Sequence, residues 1–141
     1  MRSFRLLFAS ALLGVIAGCS SNTTGTSTTN APPPTPTAND IAIVIGASTM
    51  TNTAFSPDTK TVALGGAANV TVRWINEDIS GSGYSGGTAT SHQMASDNGA
   101  FATSPVLGGN ATYSIMLSTA GTYTYHCNIH PNMVGTITVT P

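Results

Sequence analysis

Charged side chains are scarce in this chain, and positive charge is scarcest. Lys and Arg together number 4 and Asp and Glu 5 among 141 residues, so charged residues make up only 6% of the sequence. Because no cluster of basic residues is present, the electrostatic footprint of a nucleic-acid-binding protein is missing. We therefore expect no nucleic acid among the partners of this protein.

Long apolar runs are also lacking, except at the N-terminus, where the first eighteen residues have the character of an export signal. Arg2 and Arg5 give a positive start, and the stretch that continues to Ala17 is apolar but too short to span a membrane. Residues 16–19, Ile-Ala-Gly-Cys, resemble the lipobox of bacterial lipoproteins, whose cysteine is acylated and becomes the mature N-terminus. The resemblance implies a signal peptide over residues 1–18 and a lipid on Cys19. An ordinary secretory signal with a cysteine near its cleavage site is the alternative.

We therefore expect an exported protein that is anchored to a membrane by lipid and faces the periplasm or the cell surface. Ser20 does not resemble the aspartate that signals inner-membrane retention, which favours the outer membrane in a Gram-negative host. Residues 19–39 are rich in Ser, Thr and Asn and then in proline, without a bulky apolar side chain, so we expect a disordered tether. Residues 40–141 are left to form one domain.

Cysteine is rare, and only 2 are present. If Cys19 carries the lipid, Cys127 has no disulfide partner within the mature chain, which indicates either a disulfide to another chain or a thiolate with a chemical role. Its surroundings supply other donors, because Cys127, His130 and Met133 place a thiolate, an imidazole and a thioether within seven residues. This mixture suits copper that changes between Cu(I) and Cu(II). A plain buried thiol beside coincidental loop residues is the alternative.

A trigonal copper site needs a second imidazole, and the sequence has 3 histidines in all. His92 is the best candidate because it follows the long Gly- and Ser-rich segment 79–90, at the start of a short strand. His126 is adjacent to Cys127, and successive residues of a strand point to opposite faces, so we expect His126 to turn away from the metal.

Short β-branched runs separated by Gly, Asn and Pro follow residue 40 and are typical of an all-β sandwich. Alternation predicts that Val72 and Trp74 face the core. No helix is predicted. The predicted strands cover residues 41–47, 61–64, 70–76, 110–117, 121–125 and 136–140.

From about residue 40 to residue 141 the chain resembles the cupredoxins, the blue copper proteins that include plastocyanin, pseudoazurin and amicyanin. The resemblance rests on His92 and on a run of matching positions, Tyr123, Tyr125, Cys127, His130, Pro131, Met133, Gly135, Ile137 and Val139. It implies a two-sheet Greek-key β-sandwich. It also implies one copper ion, held by His92, Cys127, His130 and Met133.

Two positions depart from the usual pattern of the family. The residue after the first histidine is Gln93 instead of asparagine, and the residue two after the cysteine is Ile129 instead of proline. Neither change removes a ligand, but both alter the groups around the ligands. Since isoleucine has the backbone N–H that proline lacks, we expect the amides of Gln93 and Ile129 both to face the Cys127 sulfur.

The resemblance implies one-electron transfer between proteins, with no enzymatic activity, because two assigned histidines leave too few ligands for a second copper centre. We expect a monomer whose redox partner docks near His130, on an apolar patch to which Pro131, Val134 and Met94 contribute. Two alternatives remain open. One is a copper carrier or sensor without a role in electron transfer, and the other is a binding module whose sandwich has lost the metal.

Overall fold

The computed structural model describes residues 34–80 and 88–141. The predicted signal peptide, Cys19 and most of the predicted tether lie outside the described residues. Within the described ranges the chain forms strands and one short 3-10 helix, Ala47–Thr49. No helix in these ranges is both long and apolar enough to cross a membrane.

Two four-stranded sheets face each other, which confirms the predicted all-β sandwich. In the first sheet the strand order is β2-β1-β4-β8, and in the second it is β3-β10-β9-β7. A short hairpin pairs β5 with β6. The strands are β1 Asp40–Ile43, β2 Phe55–Ser56, β3 Thr59–Ala63, β4 Val70–Asn76, β5 Ile79–Ser80, β6 Thr88–Ala89, β7 Met94–Ser96, β8 Thr112–Leu117, β9 Gly121–Cys127 and β10 Val134–Thr140.

Several segments differ from the prediction: β2 is not among the predicted strands, and β9 and β10 are each two residues longer than predicted. The first strand ends at Ile43, four residues early, because Gly46 adopts a left-handed conformation with φ of 79° and leads into the 3-10 helix. The Gly- and Ser-rich segment 79–90, in which no strand is predicted, is paired near its two ends, where β5 and β6 form an antiparallel ladder. Residues 81–87 between these strands lie outside the described part of the chain.

The core lies between the sheets, and alternation along β4 places its larger side chains there. Val72 and Trp74 are fully buried, as predicted. The Trp74 ring packs edge-on against Tyr125 of the opposite sheet, with ring centroids 5.0 Å apart. Aromatic contacts of this kind join the two sheets close to Cys127, which follows Tyr125 by two residues.

Gly135 allows the Tyr125 ring to fill the space beneath β10. The two residues pair across β9 and β10, and a Cβ built at Gly135 would overlap the Tyr125 ring. Any other residue at this position would push the ring or the strand aside. The position of Tyr125, and with it the end of β9, therefore depends on this glycine.

One end of the sandwich collects the predicted metal ligands, and we call it the ligand end. β9 finishes there at Cys127, which pairs with Met94 at the start of β7, and β10 begins there at Val134. His92 forms an isolated bridge with Leu107 just before β7. The antiparallel pairing of β9 with both of its neighbours thus brings distant parts of the sequence together.

The beginning of β1 is fastened at the opposite end by an ion pair. The Asp40 carboxylate accepts hydrogen bonds from Arg73 Nε at 2.9 Å and Arg73 Nη2 at 2.6 Å, and from the Thr37 N–H at 2.6 Å. Partial burial alone would raise the pKa of Asp40, but the bonds from Arg73 and Thr37 outweigh it and lower the pKa to about 2. The ionised form of Asp40 therefore stabilises the folded state.

Replacing Asp40 with Asn should lower the free energy of unfolding by about 1 kcal/mol at neutral pH. This is well below the free energy that corresponds to the whole pKa shift, because the ion pair is partly exposed to solvent. Since the folded pKa is depressed, this stabilisation is present above pH 3.8 and is lost as the pH falls towards 2. Urea unfolding of the parent and of Asp40→Asn at several pH values measures the difference. Glu77→Gln, an exposed change at the other end, is the control. A parent-to-variant difference that stays constant down to pH 2 would contradict the assignment.

Candidate metal centre

Three predicted ligands meet at the ligand end. Cys127 Sγ lies 3.7 Å from Nδ1 of His92 and 3.8 Å from Nδ1 of His130. The donor atoms of the three residues all lie within 4.8 Å of one another. His92 and Cys127 are fully buried, whereas His130 is partly exposed. The centre therefore reaches the surface through one imidazole.

These separations would allow one metal ion to be bound by all three donors. Bonds of ~2.3 Å to a thiolate and ~2.0 Å to an imidazole nitrogen, diverging by ~120°, set sulfur and nitrogen ~3.7 Å apart. The two observed sulfur-to-nitrogen distances match this value. One soft thiolate with two imidazoles is a donor set that favours copper.

A compact loop brings His130 back towards Cys127. The Met133 N–H donates to the His130 carbonyl at 2.9 Å, and the Cys127 N–H donates to the Met133 carbonyl at 3.0 Å. Met133 is fully buried within this loop. The loop is closed by its own backbone, so the spacing of these three residues in the sequence becomes a fixed arrangement in space.

Hydrogen-bond donors surround the Cys127 sulfur. Burial of the thiol is the largest influence and by itself would raise the pKa of Cys127. Hydrogen bonds from His92 and from the backbone amides of Gln93, His130 and Ile129 oppose it and lower the pKa to about 6. The Gln93 N–H lies 3.4 Å from the sulfur. Of the two amides that the sequence suggested, that of Gln93 donates a hydrogen bond to the sulfur, and that of Ile129 is the smallest of the influences that lower the pKa of Cys127.

A buried carboxylate that the sequence analysis did not single out holds His92. Nε2 of His92 lies 3.0 Å from Oδ2 of Asp78, and both side chains are almost fully buried. Burial alone would lower the pKa of His92, but its bonds to Cys127 and Asp78 raise it above the usual value. With Nε2 occupied by Asp78, Nδ1 is left to face the sulfur.

Asp78 is positioned by its own partners. Its Oδ1 accepts from the Gly46 N–H at 2.7 Å, and its backbone N–H donates to the Asn76 side chain at 3.0 Å. The signal for Asp78 in the sequence is weak, because it is the second of two acidic residues that follow β4 and the sequence does not distinguish it from Glu77. Its link to Gly46 crosses 32 residues and could not be foreseen.

His126 faces away from the centre, as its position next to Cys127 predicts. Its Nδ1 lies 2.6 Å from Oδ1 of Asp97, and its Nε2 lies 3.2 Å from Oδ1 of Asn128. Neither of these bonds involves the three donor residues. His126 therefore belongs to the outer surface of the second sheet.

The surface around His130 contains two of the three predicted docking residues. Pro131 is exposed and Val134 is 40% exposed, and Ile129 adds a further apolar side chain that is 43% exposed. The prediction for Met94 is wrong, because this side chain is fully buried. Met94 lies on β7 opposite Cys127 and packs between the sheets.

Known proteins resemble this chain in sequence pattern and in fold. The family model described as "cupredoxin-like domain" matches residues 10–139. No curated protein sequence matches at a significant level.

Similar solved structures include two copper proteins and part of an enzyme. A purple cupredoxin from Nitrosopumilus maritimus is 26% identical over 72% of this chain and 98% of its own, with a TM-score of 0.56. A reduced Cu(I) form of an amicyanin variant at pH 4 is 26% identical over 71% of this chain and 81% of its own, with a TM-score of 0.50. A copper-containing nitrite reductase from Thermus scotoductus is 22% identical over 79% of this chain but only 24% of its own, with a TM-score of 0.51, and shares the fold alone.

Asp78→Asn should weaken copper binding by ~10–100-fold, the usual effect of losing a partner that orients a ligand. Asparagine keeps the shape and can still accept the Gly46 N–H, but it removes the negative charge from His92. Competition between the protein and a copper chelator measures the affinity. Glu77→Gln, next to Asp78 but exposed, should leave the affinity unchanged. Equal affinities for the parent and Asp78→Asn would show that Asp78 has no part in the centre.

Proposed function

The chain belongs to the family of cupredoxin-like domains, and on that premise we propose that it is a one-electron carrier with a single copper centre. Copper is the cofactor that both the family and the donor set indicate. Cys127 would supply the thiolate, His92 and His130 the two imidazoles, and Met133 the thioether that hold the copper. When bound, the copper supplies the one-electron Cu(I)/Cu(II) couple.

The observation that carries the proposal is a thiolate and two imidazoles held at metal-binding separations by bonds outside the centre. His92 is fixed by Asp78, and the Cys127 sulfur is fixed by the backbone amide of Gln93. Ligands that cannot move far keep the same positions in both oxidation states, so little rearrangement accompanies gain or loss of an electron. A site built only to pass copper on has no need of this rigidity.

The exposed edge of His130 is the proposed point of electron exchange. Pro131, Val134 and Ile129 surround it with apolar surface, on which we propose that a redox partner protein docks. Such a surface suits brief encounters, since it releases water without requiring charges to pair. The domain is proposed to act as a monomer.

A catalytic role is not proposed, although the fold is shared with part of a nitrite reductase. The whole sequence has 3 histidines, of which two belong to the centre and the third, His126, bonds to Asp97. A second copper site would need ligands from another chain. A copper carrier or sensor that uses the same three donors is the competing function.

Voltammetry in the presence of excess Cu(I) chelator separates these functions. For the electron carrier we expect a reversible one-electron wave that persists over repeated cycles, because the fixed ligands retain the metal in both states. Cys127→Ser should give no such wave. Loss of copper to the chelator upon the first reduction would contradict the electron carrier and favour a carrier of copper.

We further propose that the protein is exported and anchored by lipid on Cys19, facing the periplasm or the cell surface. The proposal is supported by the lipobox-like residues 16–19 and by the Ser-, Thr- and Pro-rich segment that follows. Cys19→Ala should shift the protein from the membrane fraction to the soluble fraction or prevent its maturation. Ser20→Ala is the control. If Cys19→Ala sediments with membranes as the parent does, the anchor is disproved.

A further inference from the structure

Gln93 contacts the Cys127 sulfur through its backbone, and all its other polar groups are bonded as well. Its carbonyl accepts from the Asn128 N–H at 2.8 Å, its Oε1 accepts from Asn128 Nδ2 at 3.2 Å, and its Nε2 donates to the Ser104 carbonyl at 3.0 Å. Because the Ser104 carbonyl can only accept, the Gln93 amide has one orientation, with Oε1 directed at Asn128.

Asn128 is held in turn from its other side. Its Oδ1 lies 3.2 Å from Nε2 of His126, whose Nδ1 lies 2.6 Å from Oδ1 of Asp97. Asp97 is fixed by its own N–H, which donates to the Thr124 carbonyl at 3.1 Å. The Thr124 side chain, followed by His126, lowers the pKa of the Asp97 carboxyl, so these partners favour its ionised form, which can only accept hydrogen bonds. Because both partners of the His126 ring are acceptor oxygens, the ring donates to both in its doubly protonated form. In that form the bonds make an unbroken series from the end of β7, across β9, to the ligand loop.

We propose that Asp97 and His126 are positioning residues for the metal centre. Through Asn128 they hold Gln93 so that its backbone N–H stays on the Cys127 sulfur. We call the side chains of Asp97, His126, Asn128 and Gln93 the surface brace. This inference rests on the proposed copper function.

The brace supports the backbone contact between Gln93 and the sulfur. The Gln93 N–H is 3.4 Å from the sulfur, and the Asn128 side chain that steadies Gln93 is exposed. One exposed hydrogen bond contributes little because water competes for it. Consecutive bonds that end on fixed backbone groups restrict every side chain between them, so that each bond is supported by the next.

The brace lies at the surface, where its side chains can contribute little to the stability of the fold. Asp97 and Asn128 are exposed, and His126 is only partly buried on the outer face of β9. These side chains add little to the apolar core. Their loss should therefore change the hydrogen bonding of the sulfur clearly while changing the free energy of unfolding little.

Four variants at one fixed pH test the proposal. Asp97→Ala and His126→Phe each interrupt the brace, and the double variant combines them. Thr122→Ala, an exposed change on the same face of β9, is the matched control. The N–H bond draws electron density from the thiolate and disfavours Cu(II), so each single variant should have a lower reduction potential than the parent. The double variant should show no further decrease, because both changes break one series.

The metal-free protein provides a second readout. By amide hydrogen exchange, the Gln93 N–H should exchange a few-fold faster in Asp97→Ala and in His126→Phe than in the parent or in Thr122→Ala. Asp97→Asn, which keeps an oxygen acceptor at this position, should restore much of the parent's potential and of its protection.

Unchanged potentials and unchanged Gln93 exchange in both single variants would overturn the positioning role. Additive decreases in the double variant would also overturn it, since they would show two independent effects. If the parent itself fails to form a copper centre, the proposed function fails. The exchange of Gln93 in the metal-free protein then still decides whether the brace exists.

Discussion

Burial of the Cys127 sulfur in its ionised form is costly unless donors surround it, and the arrangement of the ligand end follows from that requirement. The donors come from different parts of the chain, with His92 and Gln93 before β7 and the amides of Ile129 and His130 in the ligand loop. Their combined effect outweighs burial and lowers the pKa of Cys127 to about 6. A protein that only stored a buried thiol would have no need of these donors.

The donors can converge because buried polar groups fasten the loops of the ligand end to one another. The Asn76 side chain donates to the carbonyls of Thr90 and Leu107 at 2.7 and 2.9 Å, and thereby joins β4 to the segments on both sides of His92. Asp78 adds the loop at Gly46 to the same set. Each of these groups is buried and has a partner, so the loops are specified by hydrogen bonds where apolar packing alone would leave them loose.

The two imidazoles differ in what surrounds them. His92 is enclosed and bonded to Asp78, whereas His130 lies in a loop that reaches solvent among apolar side chains. His92 is therefore suited to holding the centre in place, and His130 is suited to the exchange of electrons with a partner. This division agrees with a centre that keeps its metal while electrons pass through one exposed edge.

The sequence was informative where residue type and spacing act locally. The Cys127–His130–Met133 spacing predicts donors on one short loop, and alternation along β4 correctly buries Val72 and Trp74. Met94 was misplaced because β7 has only three residues, too few for alternation to tell its inner face from its outer face. Asp78 and the brace at Asp97 were missed because they depend on contacts between distant segments, which neither spacing nor periodicity encodes.

Titration of the metal-free protein with Cu(II) shows whether Cys127 binds copper, because a copper–thiolate bond absorbs visible light intensely and a copper ion bound by imidazoles alone does not. We expect an intensely coloured protein whose absorption reaches its plateau at one copper per chain and is absent in Cys127→Ser. A colourless complex, or the same spectrum in Cys127→Ser, would contradict copper binding by Cys127.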